Sequence, residues 1–301
     1  MLSLTILGNN SAIPAFGRHP TAQLLETDES NFLIDCGEGT FSQLVRYKLK
    51  HSRITHIFIS HLHGDHYLGL MGLLSTMSLF GRTQPIHIHA PEKLEKIIQL
   101  QLEAGESTLT YPLHFHPLKK EGLITETAKI TVHAFPVDHR IACWGFQFQE
   151  KKNPRKVDPK RAGAYDIPAD FYEQLQKGAD YRTSKGTIIP NSEVTLEASP
   201  AKTYVYLADT RYLPALLPRI QGADLLYHET TYLRADAEKA AMRYHSTTVQ
   251  AAEMAKAAGV KRLMIGHFSS KYERLEPFLE ETKAIFENTI LAIEGTCYKI
   301  E

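Results

Sequence analysis

Residues His61-Leu62-His63-Gly64-Asp65-His66 constrain this chain more than any other stretch. Four side chains that can ligate a metal fall within six residues, directly after the apolar, strand-like run Ile54–Ser60. His61 and His63 are two apart, so an extended backbone points both to one side. Gly64 permits a sharp turn. Asp65 and His66 then lead into the apolar run Tyr67–Phe80, which reads as a helix. Neutral imidazole and carboxylate are ligands for zinc and related divalent ions. Three histidines and one carboxylate can serve two adjacent ions if distant loops complete the set.

The rest of the chain supplies a frame for such a site. Strand-like runs are Leu2–Leu7, Ala22–Glu26, Phe32–Asp35, Ile54–Ser60, Ile86–His89, Ile130–Phe135, Gly145–Gln149, Tyr204–Ala208, Ala223–His228, Arg262–Gly266 and Ile290–Glu294. Helix-like runs are Phe41–Leu49, Tyr67–Phe80, Glu92–Ala104, Thr247–Ala258 and Pro277–Phe286. Strands alternating with helices over 301 residues predict an α/β fold with two sheets and outer helices. Three strands end in His or Asp: at His61, at Asp209 and at His267. Strand ends are where α/β folds build sites.

Residues 151–197 interrupt the pattern. They are rich in charge, Pro and Gly, with a short helix expected at Asp170–Lys177. Loops of that length are uncommon and often functional. The segment carries Lys151, Lys152, Arg155, Lys156, Lys160 and Arg161. With 34 basic and 34 acidic residues the formal charge is zero, so any polyanion binding must come from a local patch such as this one. Cys36, Cys143 and Cys297 are too few and too scattered for a disulfide framework. No apolar run approaches the roughly 20 residues of a membrane span, and residues 1–8 read as a first strand, not a signal peptide. A cytoplasmic location is the expectation.

The six-residue motif resembles the HxHxDH signature of the metallo-β-lactamase superfamily. The resemblance implies an αββα four-layer sandwich formed by a single domain over 1–301, with 151–197 as an inserted, protruding arm. It also implies the ligand set. One ion would take His61, His63 and His139; the other would take Asp65, His66 and His267; Asp209 would bridge them. Two Zn2+ per subunit are expected, with Mn2+ or Fe2+ as alternatives.

Further motifs narrow the resemblance. Leu7-Gly8-Asn9-Asn10-Ser11-Ala12-Ile13-Pro14, Asp35-Cys36-Gly37-Glu38-Gly39-Thr40, His228-Glu229-Thr230-Thr231, His245-Ser246-Thr247-Thr248 and His267-Phe268-Ser269-Ser270 together resemble the ribonuclease Z family, across nearly the whole chain. That family implies a tRNA 3′-end endonuclease acting on precursor tRNA, leaving a 3′-hydroxyl on the tRNA and a 5′-phosphate on the trailer. It implies Asp65 as proton acceptor, His245 oriented by Glu229 as proton donor, the arm with Lys151, Lys152, Arg155 and Lys156 as the RNA-binding part, and a homodimer. Two departures stand out: Arg18-His19 where the family has Arg-Asn, and an arm without the family's Gly-Pro element. The competing reading is a hydrolase of the same fold acting on a small ester, lactone or phosphodiester.

Overall fold

The computed structural model describes residues 2–301. Contacts divide the chain into two compact units: residues 1–126, 131–148 and 202–301 form one, residues 127–130 and 149–201 the other.

Two seven-stranded sheets organise the large unit. The first runs Cys297–Lys299, Ser3–Gly8, Ala22–Glu26, Asn31–Ile34, Ile54–Phe58, Ile86–Ala90, Leu113–Pro117 from edge to edge. The second runs Thr289–Leu291, Leu263–Gly266, Leu225–Glu229, Thr203–Leu207, Trp144–Glu150, Ile130–Pro136, Gly122–Glu126. From Asn31–Ile34 to Leu113–Pro117 the first sheet is parallel, as is the second from Thr203–Leu207 to Thr289–Leu291. Most strands that carry the site are these parallel ones. They read as continuous apolar runs because both their faces are covered.

The facing surfaces of the sheets meet through aromatic rings. Phe58 lies edge-on to Phe148 at 5.2 Å between centroids, and Phe32 stacks on Phe148 at 6.1 Å. The opposite face of the first sheet is covered by helices Thr40–Arg46, Leu70–Leu79 and Lys93–Ala104. They bury Leu44, Leu70, Leu73, Leu74, Met77, Leu94 and Ile98 against Leu24, Leu33, Ile57 and Ile88. Helices Thr248–Ala257 and Glu276–Lys283 cover the second sheet through Ala252, Met254, Ala255 and Phe278. The result is the four-layer αββα sandwich. Among the described residues no helix is long and apolar enough to cross a membrane.

The eleven sequence-predicted strands all form, with ends shifted by up to three residues. Leu113–Pro117 and Gly122–Glu126 also form strands, although their polar residues hide the pattern. The expected helix Tyr67–Phe80 is two helices, Gly64–Tyr67 and Leu70–Leu79. At the break, a Cβ on Gly69 would sit 2.1 Å from the Gly37 carbonyl oxygen, so only glycine lets the two segments touch. Gly69 N–H donates to Cys36 O and Cys36 N–H to His66 O, which docks the six-residue motif onto the turn after Asp35.

The insertion is a folded unit and not a loop. It holds helices Pro159–Ala164, Tyr172–Gln176 and Asn191–Val194, and two short antiparallel strand pairings. Ala162, Ile167, Leu175, Ile189 and Val194 form its own small core. Asp158 caps the first helix through Lys160 and Arg161 N–H, with Pro159 in the first turn. Its apolar residues are spaced irregularly because the elements are short, which is why no period is visible in the sequence.

Candidate metal centre

His61, His63, Asp65 and His66 follow strand Ile54–Phe58; His139 follows Ile130–Pro136; Asp209 follows Thr203–Leu207; His267 follows Leu263–Gly266. The sheets bring these loops to one edge. Among the described residues, ligand atoms of His61, His63, His139 and Asp209 lie within 4.8 Å of one another, and so do those of Asp65, His66 and His267. All seven sequence-predicted metal-ligand candidates therefore meet in one place.

The atoms that converge have a definite pattern. His61 Nε2 and His139 Nε2 lie 3.0 and 3.1 Å from His63 Nδ1. Asp209 Oδ2 is 3.6 Å from His61 Nε2 and 3.8 Å from His139 Nε2. Its other oxygen, Oδ1, is 3.1 Å from His267 Nε2 and 3.4 Å from His66 Nε2. Asp65 Oδ2 stands 3.5 Å from His267 Nε2 and 3.6 Å from His66 Nε2. One carboxylate thus faces two separate groups with its two oxygens.

Those residues fit a pair of cations. His66 Nε2, His267 Nε2 and Asp209 Oδ1 are buried with no hydrogen-bond partner. Three such atoms facing one another is a costly arrangement unless something of positive charge joins them. A tetrahedral shell with bonds of about 2.0–2.1 Å has edges of about 3.3 Å, close to these separations. In four of the five histidines the opposite ring nitrogen is engaged: His61 Nδ1 by Ser60 Oγ at 3.0 Å, His66 Nδ1 by Asp35 Oδ2 at 2.8 Å, His139 Nδ1 by Tyr244 O at 3.0 Å and His267 Nδ1 by Thr231 Oγ1 at 2.8 Å. Such outer partners fix which nitrogen is bare.

The side chains' own electrostatics show the same demand for positive charge beside the carboxylates. Burial lowers His61 well below the usual imidazole range, and the neighbouring His66 adds to this. For His66 burial is outweighed by Asp209, Asp65 and Asp35, which hold it well above that range. Burial would raise Asp209, but His267, His66 and His61 keep it well below the carboxylate range. Asp65 is likewise held down against its burial, chiefly by the charge of His66, with His267 adding to it. Ala12 N–H donates to Asp65 Oδ2 at 2.7 Å.

Beside the cluster stand Glu229 and His245. Glu229, fully buried at the end of Leu225–Glu229, accepts from Thr210 N–H, Thr231 N–H and Ser246 N–H. His245 Nδ1 lies 3.1 Å from Glu229 Oε1. Burial lowers His245, but Glu229 outweighs it and the imidazole is raised to about 8. His245 Nδ1 is also 4.0 Å from Asp209 Oδ2, and together with Asp209 and His267 it forms a third cluster of potential ligands. Its bond to Glu229 uses that nitrogen. His228 turns away: its Nδ1 meets the Glu229 carbonyl at 2.7 Å.

The small unit holds Lys151, Lys152, Arg155 and Lys156. Lys152 and Arg155 line, with Lys177, a pocket of about 840 Å³. Arg155 Nε donates to Thr195 Oγ1 at 2.7 Å, so part of this guanidinium is committed to the unit's own fold.

Comparison with known proteins places this geometry in a family. Residues 2–152 match the family model of the anti-Pycsar protein Apyc1, and residues 174–268 match that of the beta-lactamase superfamily domain. Curated relatives align over almost everything. A ribonuclease Z of Bacteroides thetaiotaomicron is 43% identical over 99% of this chain and 95% of its own. One from Porphyromonas gingivalis is 41% identical over 97% of each.

The chain belongs to the ribonuclease Z family.

Among solved structures, the short form of human tRNase Z superposes with a TM-score of 0.72 at 27% identity, covering 99% of both chains. The metallo-beta-lactamase fold protein YhfI of Bacillus subtilis superposes at 0.71 with 18% identity over 99% of this chain and 98% of its own, which shows the shared fold. Against this ribonuclease Z-family frame, sequence reasoning overlooked Asp35, Ser60 and Thr231 as partners of the candidate ligands. Asp35 and Thr231 stand inside motifs quoted for the resemblance, but nothing in their spacing says that they face His66 and His267. Asp35 and His267 both adopt left-handed backbone angles, φ 55° and 61°. Strain of that kind gathers at functional sites and is invisible in sequence.

Proposed function

We propose that the protein is a metal-dependent endoribonuclease that removes the 3′ trailer of precursor tRNA, leaving a 3′-hydroxyl on the tRNA and a 5′-phosphate on the trailer. The observation that carries the reading is the Glu229–His245 pair, 3.1 Å apart, beside a cluster in which Asp209 faces two ligand groups. It is joined by full-length relatives named ribonuclease Z.

His61, His63, His139 and Asp209 would hold one ion, and Asp65, His66, His267 and Asp209 the other. The imidazole and carboxylate donors suit Zn2+, with Mn2+ and Fe2+ as alternatives. Bound there, two divalent ions supply Lewis-acid charge to the phosphodiester oxygens and lower the pKa of water. The chain does the rest. Ionised Asp65, steadied by Ala12 N–H, accepts the proton of the attacking water. The His245 imidazolium, with Nδ1 tied to Glu229, keeps the proton on Nε2 for the departing 3′ oxygen.

The small unit is the tRNA-gripping arm in this reading. Lys151, Lys152, Arg155 and Lys156 would contact phosphates without reading sequence, and binding would weaken with salt. A cytoplasmic homodimer completes the proposal; its support is the family resemblance.

The fold alone does not choose the substrate. A diphosphatase of the PhnP family shares it at a TM-score of 0.64 and 17% identity, covering 100% of this chain and 98% of its own. The deciding experiment incubates metal-loaded protein with a 3′-extended precursor tRNA and maps the ends. One cut near the discriminator nucleotide, lost on chelation, is expected. No cut, with brisk hydrolysis of small diesters, would move the function to a small-molecule hydrolase.

A further inference from the structure

Thr231 is buried two residues beyond Glu229. Its hydroxyl oxygen lies 2.7 Å from Glu229 Oε2, 2.8 Å from His267 Nδ1 and 3.1 Å from His245 Nδ1. A hydroxyl has one proton to donate and two lone pairs to offer. An ionised carboxylate only accepts, so the Thr231 proton belongs to Glu229. The lone pairs then face the two imidazoles, and His267 must carry its proton on Nδ1. That leaves His267 Nε2 bare. It is this nitrogen that is buried without a hydrogen-bond partner, 3.1 Å from Asp209 Oδ1 and 3.5 Å from Asp65 Oδ2.

We infer that Thr231 is a positioning residue: its hydroxyl fixes His267 as the Nδ1–H tautomer and ties this candidate ligand to the Glu229–His245 pair. His66 reaches its orienting carboxylate directly, through Asp35. His267 reaches Glu229 only through the Thr231 hydroxyl. One buried carboxylate thereby orients both a ligand and the proposed proton donor. The link to His245 rests on the function proposed above; the tautomer assignment stands on hydrogen-bond geometry alone.

Valine replaces the hydroxyl with a methyl group of the same shape, and serine keeps the hydroxyl. Full-length wild type, Thr231→Val and Thr231→Ser are equilibrated with Zn2+ against a competing chelator, and bound metal is counted. Thr231→Val is expected to hold one of two equivalents about 10–100-fold more weakly, the usual cost of losing an outer partner of a metal-bound histidine. Thr231→Ser is expected to stay near wild type. Nitrogen-15 spectra of the His267 ring should report a protonated Nδ1 in wild type and Thr231→Ser, and a mixture of tautomers in Thr231→Val. If Thr231→Val fails to fold by circular dichroism, Thr231→Ala takes its place beside Thr231→Ser. Unchanged affinity for both equivalents on loss of the hydroxyl overturns the inference, as does an equal loss in Thr231→Ser. Wild type that binds two equivalents yet leaves precursor tRNA uncut would remove the proposed function and leave the role of Thr231 standing.

Discussion

His66 Nδ1 lies 2.8 Å from Asp35 Oδ2, and both side chains are fully buried. Asp35 also accepts from Ser60 N–H, Ser60 Oγ–H and the Tyr206 hydroxyl. Asparagine at position 35 would turn one acceptor into a donor and aim N–H groups at partners that already donate. Asp35→Asn should weaken metal binding about 10–100-fold and lower stability by roughly 1–3 kcal/mol. Metal competition and urea unfolding measure the two effects. Wild-type values for both would mean that His66 needs no orienting carboxylate.

Asp65 sits between His66 Nε2 and His267 Nε2 and is held by Ala12 N–H. Asp65→Ala should lower single-turnover cleavage of precursor tRNA by at least about 10²-fold. Affinity for the precursor, read by filter binding, should change little. Retained full turnover would remove Asp65 from the chemistry.

His245→Ala should reduce kcat by about 10²–10⁴-fold with KM nearly unchanged, as expected when a proton donor in the transition state is lost. Glu229→Gln keeps a hydrogen-bond acceptor but removes the charge that raises His245. It should reproduce part of that loss. A substrate with a good leaving group needs no proton donor, so His245→Ala should cleave it almost normally. Equal damage on both substrates would point to structural support instead.

Five histidines outside the metal centre stack across neighbouring strands. His56 lies 4.9 Å from His87, His87 4.9 Å from His114, and His89 4.6 Å from His116. Burial, then His87 and His116, lowers His56 to about 4; burial, then His116, His56 and His87, lowers His89 to about 2. These two rings stay neutral in the fold, whereas the unfolded chain takes up protons below about pH 6.5. Their contribution is therefore complete above about pH 6.5 and is lost as pH falls toward 4 and below. His56→Phe and His89→Phe keep an aromatic ring in the stack. Each should flatten the fall of the urea midpoint between about pH 6.5 and 4. Curves parallel to wild type would show that the stack does not carry the acid sensitivity.

Lys152 and Lys156 are exposed on the small unit. The double variant Lys152→Ala/Lys156→Ala should raise KM for precursor tRNA and make its salt dependence shallower by about one to two charges. Hydrolysis of bis(p-nitrophenyl) phosphate should not change. A loss on both substrates would contradict a role confined to RNA binding.

Much of this molecule is legible in the order of its residues. The strand run Ile54–Ser60 followed by His61–His66 follows from local order alone, because alternation and a turn glycine act over a few residues. Asp209 and His267 stand out as polar residues at the ends of apolar strands; His139 needed the family resemblance. The insertion reads as a loop because its core residues Ala162, Ile167, Leu175, Ile189 and Val194 belong to elements too short to show a period.

The sequence by itself determined most elements of the large unit, their apolar faces and the residue types able to hold metal. Only the tertiary structure decided which atoms meet. The two oxygens of Asp209 face groups drawn from residues between 61 and 267, and Thr231 reaches His267 across 36 positions. Such contacts depend on strand order and on the left-handed turns at Asp35 and His267. These arise when two sheets pack their aromatic faces together, and no local propensity encodes them.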